Sequence, residues 1–289
     1  MDKNAHRQAA HFDEHTPISP WPEVLRGAGF RYHYTAKDLM IKKALDQAAI
    51  GHGMSVLDIG CGTGVLLDRL GSTYGTKGIG IDISRKSLDA ANAQKVKNSS
   101  FVLAEARALP FADGAFDLVV SLDVIEHVGD PEKMLREMTR VAELDGRMLI
   151  YAVSKRNKFT YQWFERRFVS LFGIDMHQFS CHDPDLLVDP ELIRDRLGAD
   201  GTSQVEIQFF HAFFSSLFDR FLHVFYLVLK KAGQLSVTNP SQQWLGVVVL
   251  SIASLMSRTA LDALLWIDKP WFKRGYANGF LAVARRKQA

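Results

Sequence analysis

Residues 56–64, VLDIGCGTG, constrain this chain more than any other stretch. Residues 55–59 are a short apolar run of the kind that makes a parallel strand buried on both faces, and Asp58 places a carboxylate near its end. Three glycines follow at alternate positions, Gly60, Gly62 and Gly64, so the backbone can turn sharply and approach a ligand closely. Residues 65–70 then read as a helix whose first N–H groups face whatever lies over the turn. A dinucleotide loop would read G-x-G-x-x-G, but here the third glycine comes one residue early and Val65 takes its place. No Gly-Lys-Ser/Thr follows, which excludes a phosphate-binding P-loop. A second apolar strand, 78–81, ends in Asp82, 24 residues after Asp58, where an acid can bind ribose hydroxyls. Together these features favour a nucleoside ligand over a dinucleotide.

The strand–helix alternation continues down the chain. Ser84 fits a helix N-cap, with the helix running to about residue 97. Residues 101–104 read as a third strand followed by Glu105 and Ala106, and residues 116–122 as a fourth that ends at Leu122 and Asp123. Asp130, Pro131 and Glu132 start the next helix, whose apolar stripe is Met134, Leu135, Met138 and Val141. Gly146 is expected to close it and 147–153 to form a fifth strand. Helices over 31–45, 156–173 and 191–197, a polar loop over 177–190, and a sixth strand at 205–210 complete the body. This alternation predicts an α/β fold with a doubly wound, mostly parallel sheet. Gly60, Asp82, Glu105 and Asp123 all fall at carboxyl ends of strands, where such sheets bind their ligands.

Four of these segments, VLDIGCGTG, GIGIDIS, ALPFADGAFDLVVS and DVIEHVGDPEKMLREMTRVAELDGRMLI, resemble the successive motifs of class I S-adenosylmethionine-dependent methyltransferases. The similarity covers about residues 43–153, and its flavour is that of the ubiquinone and menaquinone methyltransferase-like, type 11, branch. The resemblance implies a seven-stranded Rossmann-like sheet, with residues 279–285, GFLAVAR, as the final antiparallel strand. It implies S-adenosylmethionine binding by Asp58, Gly60, Cys61, Gly62, Gly64, Asp82, Ile83, Glu105, Ala106 and Leu122. Glu105 departs from the usual Asp at the adenine-facing position, and Leu109, Pro110 and Phe111 are either an apolar strip beside the adenine or a turn on the core. The helix over 31–45 would be a lid that brings Tyr32, His33 and Tyr34 toward the acceptor, or an aromatic packing element. Candidate catalytic groups are His127, Asp123 and Tyr34, with Tyr151 and His33 as further candidate bases. The cluster Asp123, Glu126 and His127 resembles one that holds Mg2+ or Mn2+ in ubiquinone-type O-methyltransferases; the competing reading is a structural Glu-His pair.

Two features lie outside the resemblance. Almost 70 residues separate the sixth strand from the last, where the family needs only a hairpin. Residues 209–229 and 244–267 are each long and apolar enough to span a bilayer but carry charges in mid-segment, among them Asp219, Arg220, Arg258 and Asp262. The net charge of +3 also hides an asymmetry: residues 205–289 hold 10 Lys and Arg against 4 Asp and Glu, together with 14 of the 31 aromatics. Such a segment fits an interfacial hairpin on a membrane, or a subunit contact; it lacks the polar interleaving of a nucleic-acid surface.

The expected organisation is an arm over 1–30, a cofactor-binding core over 31–210, an apolar helical insertion over 211–275, and a last strand with a basic tail over 276–289. The N-terminus is not expected to be a secretory signal, and two cysteines, Cys61 and Cys181, argue against a disulfide framework. The reading is therefore a methyltransferase of a reducing, cytoplasmic setting that acts, with O-methylation favoured, on an apolar or lipid-linked acceptor at the cytoplasmic face of a membrane. Its alternatives are a soluble small-molecule methyltransferase with a dimer interface, a non-catalytic scaffold and, from the glycine loop alone, a nicotinamide oxidoreductase.

Overall fold

A computed structural model gives the fold; it describes residues 13, 36–170, 187–199, 202–218 and 262–287. Seven strands form one sheet in the order β3-β2-β1-β4-β5-β7-β6. They are β1 (Ser55–Ile59), β2 (Lys77–Asp82), β3 (Ser99–Leu103), β4 (Phe116–Leu122), β5 (Ala142–Val153), β6 (Thr202–Phe210) and β7 (Gly279–Arg286). The first five strands run parallel, while β7 lies antiparallel between β5 and β6. The direction of winding reverses between β1 and β4, which opens a crevice beyond their carboxyl ends.

The central strands read as unbroken apolar runs because both of their faces are covered. Successive residues point to opposite faces, so Leu57 and Ile59 join one core layer and Val56 the other. Helices α4 (Pro131–Val141) and α6 (Pro190–Ala199) cover the first face through Met134, Leu135, Met138, Ile193 and Leu197. Helices α1 (Ala36–Gln47) and α2 (Val65–Tyr74) cover the second through Ile41, Ala44, Leu45, Leu67 and Leu70. Between them in the chain, α3 (Arg85–Ala93) starts at Ser84, whose hydroxyl accepts the Ser87 N–H at 3.1 Å, and Asp130 caps α4 by accepting the Lys133 N–H at 2.9 Å.

Several boundaries differ from the sequence expectation. Helix α2 runs on through Gly71 to Tyr74, and α3 stops at Ala93 because Lys95 and Asn98 turn into the left-handed region. Gly146 does not close α4. That helix ends at Val141, and Ala142 already pairs with Phe116. Arg147 next pairs with Leu118, so residues 143–146 bulge out, and a Cβ on Gly146 would lie 2.7 Å from the Glu143 carbonyl oxygen. The helix expected over 156–173 is α5 (Tyr161–Ser170), preceded by a loop.

Apart from Asp13, the N-terminal arm, with Tyr32, His33 and Tyr34, lies outside the described residues, as do Cys181, most of the polar loop and residues 219–261 of the insertion. Of the insertion, residues 214–218, residues 262–267 and α7 (Lys269–Lys273) are helical. No helix among the described residues is long and apolar enough to cross a membrane.

Candidate active site

The carboxyl ends of β1, β2, β3 and β4 enclose a cavity of about 250 Å³. Its wall includes Gly60, Gly62, Asp82, Ile83, Glu105 and Ala106 on the cofactor side of the sequence reading, and Asp123 and His127 on the catalytic side.

The glycine loop is shaped for two purposes. Gly60 has φ +72°, and a Cβ there would sit 2.2 Å from Cγ2 of Val124, so this glycine lets β1 turn against the neighbouring strand end. Gly62 has φ +52° and no atom within 4 Å of the position its Cβ would take, so it presents bare backbone to open space. Gly64 instead packs under the Phe101 ring, and Cys61 beneath the loop against Gly80; neither lines the cavity. Burial, followed by the Asp58 and Asp82 carboxylates, holds the Cys61 thiol far above its ordinary range, so it is no nucleophile.

Asp82 braces the loop. Its carboxylate accepts the Gly62 N–H at 2.9 Å and the Ser84 N–H at 2.8 Å. Burial raises its pKa, while the N–H donors from Ser84, Gly62 and Ile83 oppose that shift. Asp13 comes in from the N-terminal segment and accepts the Ser84 hydroxyl at 2.6 Å, one turn from Asp82. Asp58 does not line the cavity; it is buried beneath the loop, and burial followed by the Asp82 charge pushes its pKa up to about 7.

Glu105 reaches the cavity, but its carboxylate is paired with Arg107, a lining residue the sequence reading missed. The signal was the i, i+2 acid–base pair itself. Leu109 is buried, its N–H held by Glu137 at 2.7 Å, and Phe111 packs edge-on against Phe116 at 5.1 Å. Arg140 ties both carbonyls to α4, so residues 109–111 are a turn on the core and not part of the cavity wall. Leu122 likewise ends β4 without lining the cavity. Val124, Val128, Ile59 and Ile81 give the remaining wall an apolar character.

Asp123 sits at the mouth of β4 with φ +57°, a conformation that turns the chain out of the strand toward the cavity. His127 follows on a single 3-10 turn, Ile125–His127. The expected metal cluster does not form. Glu126 is buried beneath that turn and is absent from the wall, and no three His, Cys, Asp or Glu among the described residues are arranged to hold an ion. Tyr151 is no base at this cavity either, because its ring is buried and stacks on Phe210 at 5.3 Å.

Residues 57–150 match the family model described as a methyltransferase domain. A tocopherol O-methyltransferase of Arabidopsis thaliana is 40% identical over 35% of this chain and 31% of its own length. A ubiquinone/menaquinone biosynthesis C-methyltransferase of Hahella chejuensis is 36% identical over 38% of this chain and 47% of its own. Over that stretch the chain is similar to a methyltransferase domain and to these methyltransferases. It spans less than half the length of those two relatives. Two solved structures share the fold of this chain at low identity. A Haemonchus contortus phosphoethanolamine N-methyltransferase with S-adenosylhomocysteine is 20% identical, with a TM-score of 0.55 over 84% of this chain and 51% of its own. The [4+2]-cyclase SpnF is 16% identical, with a TM-score of 0.59 over 99% of this chain and 97% of its own. A fold that also serves a cyclase does not fix the reaction; the residues of the cavity have to.

Proposed function

We propose that the chain is an S-adenosylmethionine-dependent methyltransferase that O-methylates an apolar or lipid-linked small molecule at a membrane surface. The observation that carries the reading is the cavity in which Asp82, bare Gly62 and the ends of four strands converge. Those residues fit a nucleoside: Asp82 for the ribose hydroxyls, Glu105 and Ala106 for the adenine edge, Gly60 and Gly62 for the methionine part. Asp82, joined by Asp58 once that acid ionises above about pH 7, supplies a negative field that suits a cationic ligand.

The bound cofactor supplies a methyl group already activated on a sulfonium. The protein's part is to hold the acceptor in line and to receive the proton of its hydroxyl as the new C–O bond forms. Asp123 and His127 line the same cavity, and His127 is the base we favour. Tyr34, just ahead of α1 in the sequence, is our further acceptor-side candidate, while α1 itself packs on the sheet through Ile41, Ala44 and Leu45 instead of forming a lid. The apolar wall of Ile59, Ile81, Val124 and Val128, and relatives named for tocopherol and for ubiquinone and menaquinone, support an apolar acceptor. In this division residues 31–210 and 276–289 perform the chemistry, and the insertion over 211–275 meets the acceptor's surroundings.

The test is transfer of label from methyl-tritiated S-adenosylmethionine into an organic-solvent extract of cells. Label entering the solvent phase, and lost with His127→Gln at unchanged cofactor affinity, is the expected result. Cofactor binding without any transfer overturns the enzymatic reading.

A further inference from the structure

Three segments distant in sequence meet beside the sheet end that carries β6 and β7. Phe213 is their hub: its ring contacts those of Phe164 at 5.8 Å, Tyr161 at 6.1 Å, Phe214 at 5.2 Å and Trp271 at 6.3 Å. The Trp271 indole N–H donates to the Phe159 carbonyl at 2.9 Å, which ties the loop before α5 to α7. Asp268 locks the third side. Its buried carboxylate accepts the N–H groups of Phe213, Phe214 and Ser215 and the Ser215 hydroxyl, all within 3.2 Å. The platform is thus rigid, and what it shows to solvent is apolar. Six of the ten exposed large hydrophobics among the described residues lie on these segments: Phe159, Phe164, Phe214, Leu217, Trp266 and Ile267. Trp266 is 67% exposed.

We propose that this aromatic platform is the surface by which the protein docks on an anionic lipid membrane. The charges beside the rings choose the partner. Lys158, Lys269, Lys273 and Arg274 are exposed on the same segments, whereas Asp268 is consumed by its caps, which leaves Asp262 as the other acid of residues 262–274. Lysine is depleted from the centres of protein–protein interfaces, but aromatic rings flanked by lysines match the boundary between acyl chains and acidic headgroups. The chain leaves the described structure at Phe218 and re-enters it at Asp262, so the apolar stretch between them joins the platform at both ends. The proposal rests on the membrane-surface part of the function proposed above, and it assigns that part to particular residues.

Vesicle flotation of the full chain is the test, using phosphatidylcholine vesicles with and without phosphatidylglycerol. The expected result is flotation with the anionic vesicles, reduced about tenfold in Trp266→Ser/Ile267→Ser and in Lys269→Glu/Lys273→Glu. Both pairs are exposed, so thermal unfolding should not change. Flotation of the variants equal to the parent's, or no flotation by any of them, overturns the proposal. So does a concentration-dependent dimer that Trp266→Ser abolishes in sedimentation, because the platform then belongs to a second copy. S-adenosylmethionine titration of the same proteins separates the two readings. Retained cofactor binding without flotation removes only the docking surface, and lost cofactor binding in the parent removes the methyltransferase.

Discussion

Asp58→Asn is the perturbation whose effect can be worked furthest from the structure. The Asp58 carboxyl is buried under the glycine loop, where desolvation and the nearby Asp82 charge raise its pKa from 3.8 to about 7. The folded state therefore keeps this proton over a range in which the unfolded chain has released it. Between pH 3.8 and about 7 folding takes up protons at this site, so stability falls as the pH climbs through that window. At about 1.4 kcal/mol per pK unit, the full cost above pH 7 is about 4 kcal/mol. Asparagine cannot ionise and does not incur that cost. Urea unfolding at half-unit steps from pH 4 to 8.5 should show the parent losing stability relative to Asp58→Asn up to about pH 7 and running parallel above it. The comparison of slopes cancels any fixed penalty from the buried amide. Parallel curves across the whole range would refute the assignment, because Asp58 would then ionise alike in both states. The same ionised acid favours a cationic ligand, so Asp58→Asn should weaken S-adenosylmethionine binding most above pH 7.

Other substitutions separate shape from chemistry. Gly60→Ala forces a Cβ against Val124 and a side chain into a left-handed turn, and denaturant unfolding should show a loss of about 3 kcal/mol. Gly62→Ala meets no protein atom, so titration should show lost cofactor affinity with only about 1 kcal/mol of stability lost. Asp268→Ala strands three N–H groups, of which that of Ser215 is fully buried, and thermal unfolding should report a loss of about 3 kcal/mol together with a loosened aromatic platform. Met138→Ala leaves a hole between α4 and the sheet and should cost about 2–5 kcal/mol with cofactor affinity unchanged.

The centre of the sheet was legible because its signals are local and redundant. An apolar run followed by glycine or acid marks β1, β2 and β4, and the observed strands end where those residues stand. Boundaries that depend on a partner strand were not legible. Ala142 belongs to β5 because it pairs with Phe116, and nothing in AELDG announces a bulge in place of a helix end. Residues that sit just past a strand, Gly60, Asp82 and Asp123, do line the cavity. Where direction decides, sequence position is not enough: Cys61, Gly64 and Leu122 adjoin lining residues but do not line the cavity themselves. Glu126 shares its local pattern with metal-holding clusters and with structural Glu-His pairs alike, and only the 3-10 turn shows that it is buried while His127 lines the cavity. Long-range contacts left no trace at all. Asp13 reaches Ser84 from an arm without periodicity, and Asp268, which precedes a proline as a helix cap would, caps a different helix 53 residues upstream.

Isothermal titration with S-adenosylmethionine, for the parent and for Asp82→Ala and Asp82→Asn, tests the central claim most directly. Ribose hydroxyls bound to a carboxylate contribute about 1.5–3 kcal/mol each, and Asp82 also holds Gly62 and Ser84 in place. The parent should bind one equivalent saturably, Asp82→Ala should lose tenfold or more in affinity, and Asp82→Asn should lose less. No saturable heat in the parent, or equal affinity in Asp82→Ala, would contradict the cofactor site placed here.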